Sequence, residues 1–311
     1  MNRINWKSLL SVALLVTVQL SFASERVGNF ALLDHEGSYH QLRKYGDSKA
    51  VVIISIASAC VENFDKLPKY RLLRTTWEQQ GITFLGLNSA VEDERDDVRL
   101  MDTLHNFDIP ILLDKSQLVA ENLGISKAGE LVVLEPNRFK VLYRGGLDID
   151  PVRARPNLGI AARAGTTTVA DTLSATVAGD IDGFDETVST EATGCDLDFP
   201  VRDLHREVAP DYATEVAPIL EAKCVSCHIS GGIAPFAMDS YLMVQGWSLM
   251  MKEVIMTKRM PPAQVDPSIN HFTNARYMDP GELQTLIHWI DAGAPRGVSE
   301  VDPLTLIEPP E

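Results

Sequence analysis

Cysteine is scarce in this chain: 311 residues contain only four, Cys60, Cys195, Cys224 and Cys227. Four thiols cannot staple a chain of this length, so stability must come from packed cores, which a composition 45% hydrophobic can build. Long apolar runs are missing too. The run Leu9–Leu20 stops short of the roughly 20 residues a membrane-crossing helix needs, and no later segment approaches it. Positive charge is in deficit, 28 basic residues against 43 acidic, a formal net charge of −15. That balance argues against nucleic acid and favours a soluble surface suited to basic partners. No G-x-x-x-x-G-K-[ST], H-E-x-x-H or G-x-S-x-G motif occurs, which leaves phosphate-loop, zincin and serine-hydrolase chemistry without a basis. There is no internal repeat and no low-complexity tract.

What is present begins with an export signal. Arg3 and Lys7 precede the apolar run, and Ser21-Phe22-Ala23 supplies small residues for cleavage before Ser24. A periplasmic or otherwise exported protein is expected. From Val27 to Ala178 strand and helix patterns alternate. Val51–Ile56 and Ile82–Leu87 read as buried strands, Phe64–Gln80 and Val98–Asn106 as helices, and Leu131–Leu134 with Lys140–Tyr143 as a hairpin about Pro136-Asn137. Val169, Leu173 and Val177 mark a closing helix. The pattern predicts an α/β sheet with helices on both faces. Residues 179–210 read as connecting chain. Helices and irregular loops follow, with a helix over Tyr241–Thr257. The last helix is capped by Asp279, with Pro280 at its first position, Glu282 completing a capping box and Gly293 stopping it.

The chemistry concentrates at Cys224-Val225-Ser226-Cys227-His228, a C-x-x-C-H pattern. Two thiols three residues apart match the two vinyl groups on one porphyrin edge, and the adjoining imidazole is an axial iron ligand. One covalently attached haem c is therefore expected, held by Cys224 and Cys227 with His228 proximal. A zinc site needs two further ligands, and no second C-x-x-C or H-x-x-x-H follows. A redox C-x-x-C belongs after a strand rather than between helices. Met260, ahead of Pro261 and Pro262, is the expected distal ligand, with Met238, Met243, Met250, Met251, Met256, Met278 and His271 as rivals. A His/Met pair favours electron transfer over oxygen chemistry at iron. His35, His40, His105, His205 and His288 are scattered singly through the sequence and read as surface or satisfied core residues.

Residues 212–297 resemble the cytochrome c-like segment that precedes the copper type II, ascorbate-dependent monooxygenase domain of some bacterial proteins. The resemblance rests on Val216–Leu220, the C-x-x-C-H, Gly232–Phe236, Met260-Pro261-Pro262 and Trp289–Pro295. It implies Met260 as distal ligand, although Ala263 replaces an expected Trp. Residues 297–311 leave no room for a copper domain, so copper chemistry does not carry over. Residues 27–178 resemble a redoxin domain of the thioredoxin-like superfamily, which includes peroxiredoxins. That likeness implies a reactive thiol at Cys60. Yet Ile53 and Ala57 stand where a peroxiredoxin has Pro and Thr, and Ala128-Gly129-Glu130 falls at the usual Thr-cis-Pro site. In related redoxin domains a second cysteine occurs where Cys195 lies, which implies pairing with Cys60 as a static staple or a resolving partner.

The expected layout is a signal peptide over 1–23, a thioredoxin-like α/β domain over 24–195, a linker over 196–210, an all-α cytochrome c-like domain over 211–300 and a tail over 301–311. The function expected from it is electron transfer to a redox protein partner, either another cytochrome or a separately encoded copper monooxygenase. A thiol oxidoreductase or peroxidase using Cys60 is the alternative.

Overall fold

The computed structural model describes residues 25–147, 168–182, 184, 186–192, 194–262, 266, 272–273 and 275–308. The export signal and His271 lie outside them. The first unit contains β1 (Ala31–Leu33), β2 (Tyr39–Gln41), β3 (Ala50–Ser55), α1 (Val61–Asp65), α2 (Leu67–Trp77), β4 (Ile82–Asn88) and α3 (Arg95–His105). It continues through β5 (Ile111–Leu113), α4 (Leu118–Leu123), β6 (Lys127–Ala128), β7 (Leu131–Glu135), β8 (Lys140–Gly145), α5 (Val169–Ala178), β9 (Val188–Ser189) and β10 (Cys195–Asp196).

The main sheet runs β5-β4-β3-β7-β8-β9. Strand β3 pairs parallel with β4 and antiparallel with β7, and β7–β8 is the expected hairpin. All six β3 residues are buried. Because side chains alternate along a strand, Val52 and Ile54 enter one core with Tyr70, Trp77 and Leu173, while Val51 and Ile53 enter a second with Phe30, Val119 and Val141. One strand thus feeds both faces, as the α/β reading requires.

Two expectations are corrected here. The helix predicted over Phe64–Gln80 is broken between α1 and α2 at Lys66, and its last three residues tighten into a 3-10 turn. Pro68 causes the break: its ring clashes with the carbonyl four residues back, at Phe64, and suits only a helix start. The linker predicted over 196–210 instead contains α6 (Pro200–Glu207), preceded by the buried Phe199. Pro200 again opens the helix, and Arg206 in its last turn complements the dipole.

The second unit is helical. A π turn at Tyr212–Val216, α7 (Ala217–Leu220) and a further π turn at Glu221–Val225 make one continuous winding. Then come α8 (Tyr241–Met256) and α9 (Pro280–Asp291). The α9 cap is as predicted: the Asp279 carboxylate accepts from the Glu282 amide, and the Glu282 carboxylate from the Asp279 amide. Val216, Leu220, Val244, Leu286, Trp289 and Ile290 form its core. The expected tail is anchored to it, because Leu304 is buried and Asp302 accepts from the Tyr212 hydroxyl at 2.7 Å. No helix among the described residues is long and apolar enough to cross a membrane.

The two units share a packed seam. Leu118 of α4 joins the helical core, and Met256 of α8 packs against the second sheet core. Beside Leu118, the fully buried Asp114 accepts from Ser89 Oγ at 2.9 Å and from the amides of Val119 and Ala120 at 3.3 and 2.9 Å. Burial, only partly opposed by these donors, pushes its carboxyl up to about 7 from 3.8. The folded state therefore holds a proton that the unfolded state releases, and this contribution to stability is lost as pH rises from about 4 to about 7. Urea unfolding across that window is expected to show declining stability in the wild type and a flatter profile in Asp114→Asn.

Candidate functional site

The C-x-x-C-H segment closes the first winding of the helical unit. The amides of Cys227 and His228 both donate to the Cys224 carbonyl, at 3.1 and 3.0 Å, so the thiols and the imidazole leave a single turn. The thiols are not bonded to each other. Burial pushes the Cys224 thiol up to about 11, against the opposing charges of Arg276 and Lys223. Arg276 approaches the second thiol, donating to Cys227 Sγ at 3.4 Å and also to Ser226 Oγ.

His228 is 8% exposed, and its Nδ1 lies 3.0 Å from the Phe236 carbonyl. A carbonyl only accepts, so Nδ1 carries the proton and Nε2 the lone pair. Among the described residues Nε2 makes no hydrogen bond. The loop that brings Phe236 back is held by the Ala234 amide on the Cys227 carbonyl. It needs a glycine at 232, where a Cβ would stand 2.5 Å from that carbonyl. The Phe236 ring packs on His228 at 4.5 Å and stacks on Trp247 at 4.4 Å. Met243 and Met250, one turn to either side of Trp247 on α8, are 40% and 50% exposed, and Ile233 is 91% exposed. These leave uncovered apolar surface on α8 and on the loop that follows the motif.

Met260 follows α8, its amide donating to the Val254 carbonyl at 3.1 Å, and its side chain is 40% exposed. The peptide between Met260 and Pro261 is cis. The rivals sort by burial: Met238, Met251 and Met278 are core residues, and Met256 fills the seam between the units.

Cys60 and Cys195 are joined in a disulfide, their Cα atoms 5.8 Å apart. Cys60 caps α1 and is 1% exposed, packed with Ala57, Ala90 and Ala128. Strand β10 pairs antiparallel with β6, Cys195 opposite Ala128. The chain's own residues thus cover Lys127 and Ala128, next to the Gly129-Glu130 stretch that bonds back to Ser55 of β3. Glycine at 194 is required there: φ is +147° and a Cβ would sit 1.8 Å from the Ala128 carbonyl.

Two of the scattered histidines come together. His205 of α6 and His288 of α9 meet with their Nδ1 atoms 2.8 Å apart, and His288 Nε2 lies 3.0 Å from Glu121 of α4. They line a cleft of about 460 Å³ between the units, with Arg202, Arg206 and Lys252. Burial, then the neighbouring His288, lowers the His205 pKa. Eighty-three residues separate the pair, and no local pattern announces it. Arg276 and the Phe236 carbonyl were likewise not singled out by the sequence. Among the described residues no three His, Cys, Asp or Glu side chains group as a metal site.

Residues 23–145 match the AhpC/TSA family model. The first unit is accordingly a thioredoxin-like α/β domain, the redoxin domain. No curated protein matches the chain. Similar solved structures include a hypothetical protein from Sinorhizobium meliloti, 23% identical over 56% of this chain and 93% of its own, with a TM-score of 0.40. A peroxidoxin from Mycobacterium tuberculosis is 18% identical over 50% of this chain and 96% of its own, with a TM-score of 0.38. An exposed lipoprotein thioredoxin from Streptococcus pneumoniae is 17% identical over 40% and 93%, with a TM-score of 0.35.

Proposed function

We propose that this chain is an exported electron carrier in which the redoxin domain is fused to a cytochrome c-like domain holding one covalent haem c. The observation that carries the reading is the C-x-x-C-H turn itself: two unjoined thiols beside an imidazole whose proton is committed to Phe236, leaving Nε2 as a lone-pair donor. Cys224 and Cys227 would form the thioethers, His228 would be the proximal ligand and Met260 the distal one. When bound, the haem supplies a one-electron redox centre. The protein's part is orientation and shielding. Phe236 fixes the imidazole tautomer, and Met243, Trp247 and Met250 offer an apolar wall. The acidic balance of the chain biases encounter towards a basic redox partner, a second cytochrome or a separately encoded copper monooxygenase. Non-reducing mass spectrometry and the reduced visible spectrum of the exported protein test this. Expected are cleavage before Ser24, one added haem and a c-type spectrum; a mass without haem overturns the reading.

The bridged pair favours a second reading, a thiol-disulfide or peroxide-reducing enzyme in which Cys195 resolves Cys60. Against it stand the burial of Cys60 and the aliphatic Ile53 and Ala57 at the peroxide-binding positions. If it holds, Cys60→Ser abolishes turnover of a peroxide or disulfide substrate while leaving the haem spectrum intact.

A further inference from the structure

Both ends of the segment that carries Met260 are fastened to the redoxin domain. At its start, the carbonyl of the fully buried Thr257 accepts from the Tyr39 hydroxyl of β2 at 3.0 Å. At its far end, Asp266 is ion-paired with Arg95, the first residue of α3, and the two side chains are only 13% and 11% exposed. Between them, Lys258 adopts φ 55° and stands within electrostatic reach of both Asp114 and Asp266. Nothing comparable joins the redoxin domain to the C-x-x-C-H turn among the described contacts.

The Arg95 pair is not an ordinary surface bridge. Exposed pairs of this type contribute little, whereas removing one partner of a shielded pair strands the other charge. Among the described residues Arg95 Nε and Nη1 are buried without a hydrogen-bond partner, and Asp266 anchors its Nη2.

We infer that the redoxin domain acts as a clamp on the distal-ligand segment, with Arg95 and Tyr39 as positioning residues that set where the Met260 thioether stands. The inference rests on the haem reading and on Met260 as ligand. It gives the redoxin domain a role that needs no thiol turnover. It also makes the haem potential a property of both domains, because a thioether ligand raises the potential and a loosened one raises it less.

The test uses the full-length protein with haem attached. Tyr39→Phe removes one hydroxyl and keeps the ring; Arg95→Gln removes the ion pair; the two are also combined. Visible absorption of the oxidised protein reads sulfur–iron ligation, and redox titration reads the midpoint potential. Expected is a graded loss of the sulfur–iron band and a downward shift in potential from Tyr39→Phe through Arg95→Gln to the double variant. Arg95→Lys should recover part of both. Arg138→Gln, which breaks an exposed pair with Asp182 on the same domain, should move neither. Wild-type band and potential in the double variant overturn the clamp. A Met260→Ala protein that keeps the band overturns the ligand assignment instead, and the clamp with it. An Arg95→Gln chain that does not fold leaves Tyr39→Phe to decide by the same readouts.

Discussion

Replacing Cys224 and Cys227 together with alanine is expected to yield a protein with no covalently bound haem and no c-type spectrum, while the redoxin domain stays folded. The two thiols leave the same turn and are free of each other, so each is available to one vinyl group. The single variants should each retain one thioether and a weakened spectrum. The helical unit should also lose stability, since the attached haem would cover apolar surface only in the folded state. Its own structure points the same way. Met243, Met250 and Ile233 are exposed, and covering such surface is worth about 25 cal/mol per Å². Mass spectrometry and thermal unfolding followed in the helical unit check both parts. A double variant that still carries haem on the protein would show that the attachment point lies elsewhere.

The second large effect concerns the other cysteines. Cys60→Ser is expected to destabilise the redoxin domain by about 2–5 kcal/mol, the usual cost of losing a native bridge that closes a long loop. Here the bridge spans 135 residues, from the cap of α1 to β10. The serine hydroxyl would also be enclosed by Ala57, Ala90 and Ala128, with no polar partner among them. A Cys60→Ala/Cys195→Ala protein separates the two contributions, retaining the bridge loss without the stranded hydroxyl. Urea unfolding of the three proteins should rank wild type above the double alanine variant and that above Cys60→Ser. Equal midpoints would mean that β10 is held by its strand pairing alone.

Local signals carried the sequence reading as far as local signals reach. The α9 cap was readable because Asp279, Pro280 and Glu282 satisfy one another within a single turn. Strand β3 was readable as buried because Val51–Ile54 is an unbroken β-branched run, and all the strand's residues are buried. C-x-x-C-H was readable because its chemistry lies within five residues. What escaped depends on contacts between distant elements. β9 and β10 are two residues each, too short to show a period, and exist only because β8 and β6 are there to pair with them. Helix α6 has no buried residue of its own and was taken for linker; it is held by lying across α9. The His205–His288–Glu121 contact and the Arg95–Asp266 pair join residues 83 to 171 positions apart.

The disulfide at Cys195 has a mechanical consequence. Only Asp196–Phe199 separate the bridge from the first residue of α6, and fully extended these four residues reach about 14 Å. Part of that reach is already spent: the Leu197 amide donates to the Ser126 carbonyl, and Phe199 is buried. The connection is therefore a short leash and not a swinging arm. If the helical unit holds the proposed haem, that haem would stay close to the redoxin domain, and a partner would have to come to it. Cutting the bridge would leave that leash fixed only by the β10 pairing, the Leu197–Ser126 bond and the buried Phe199.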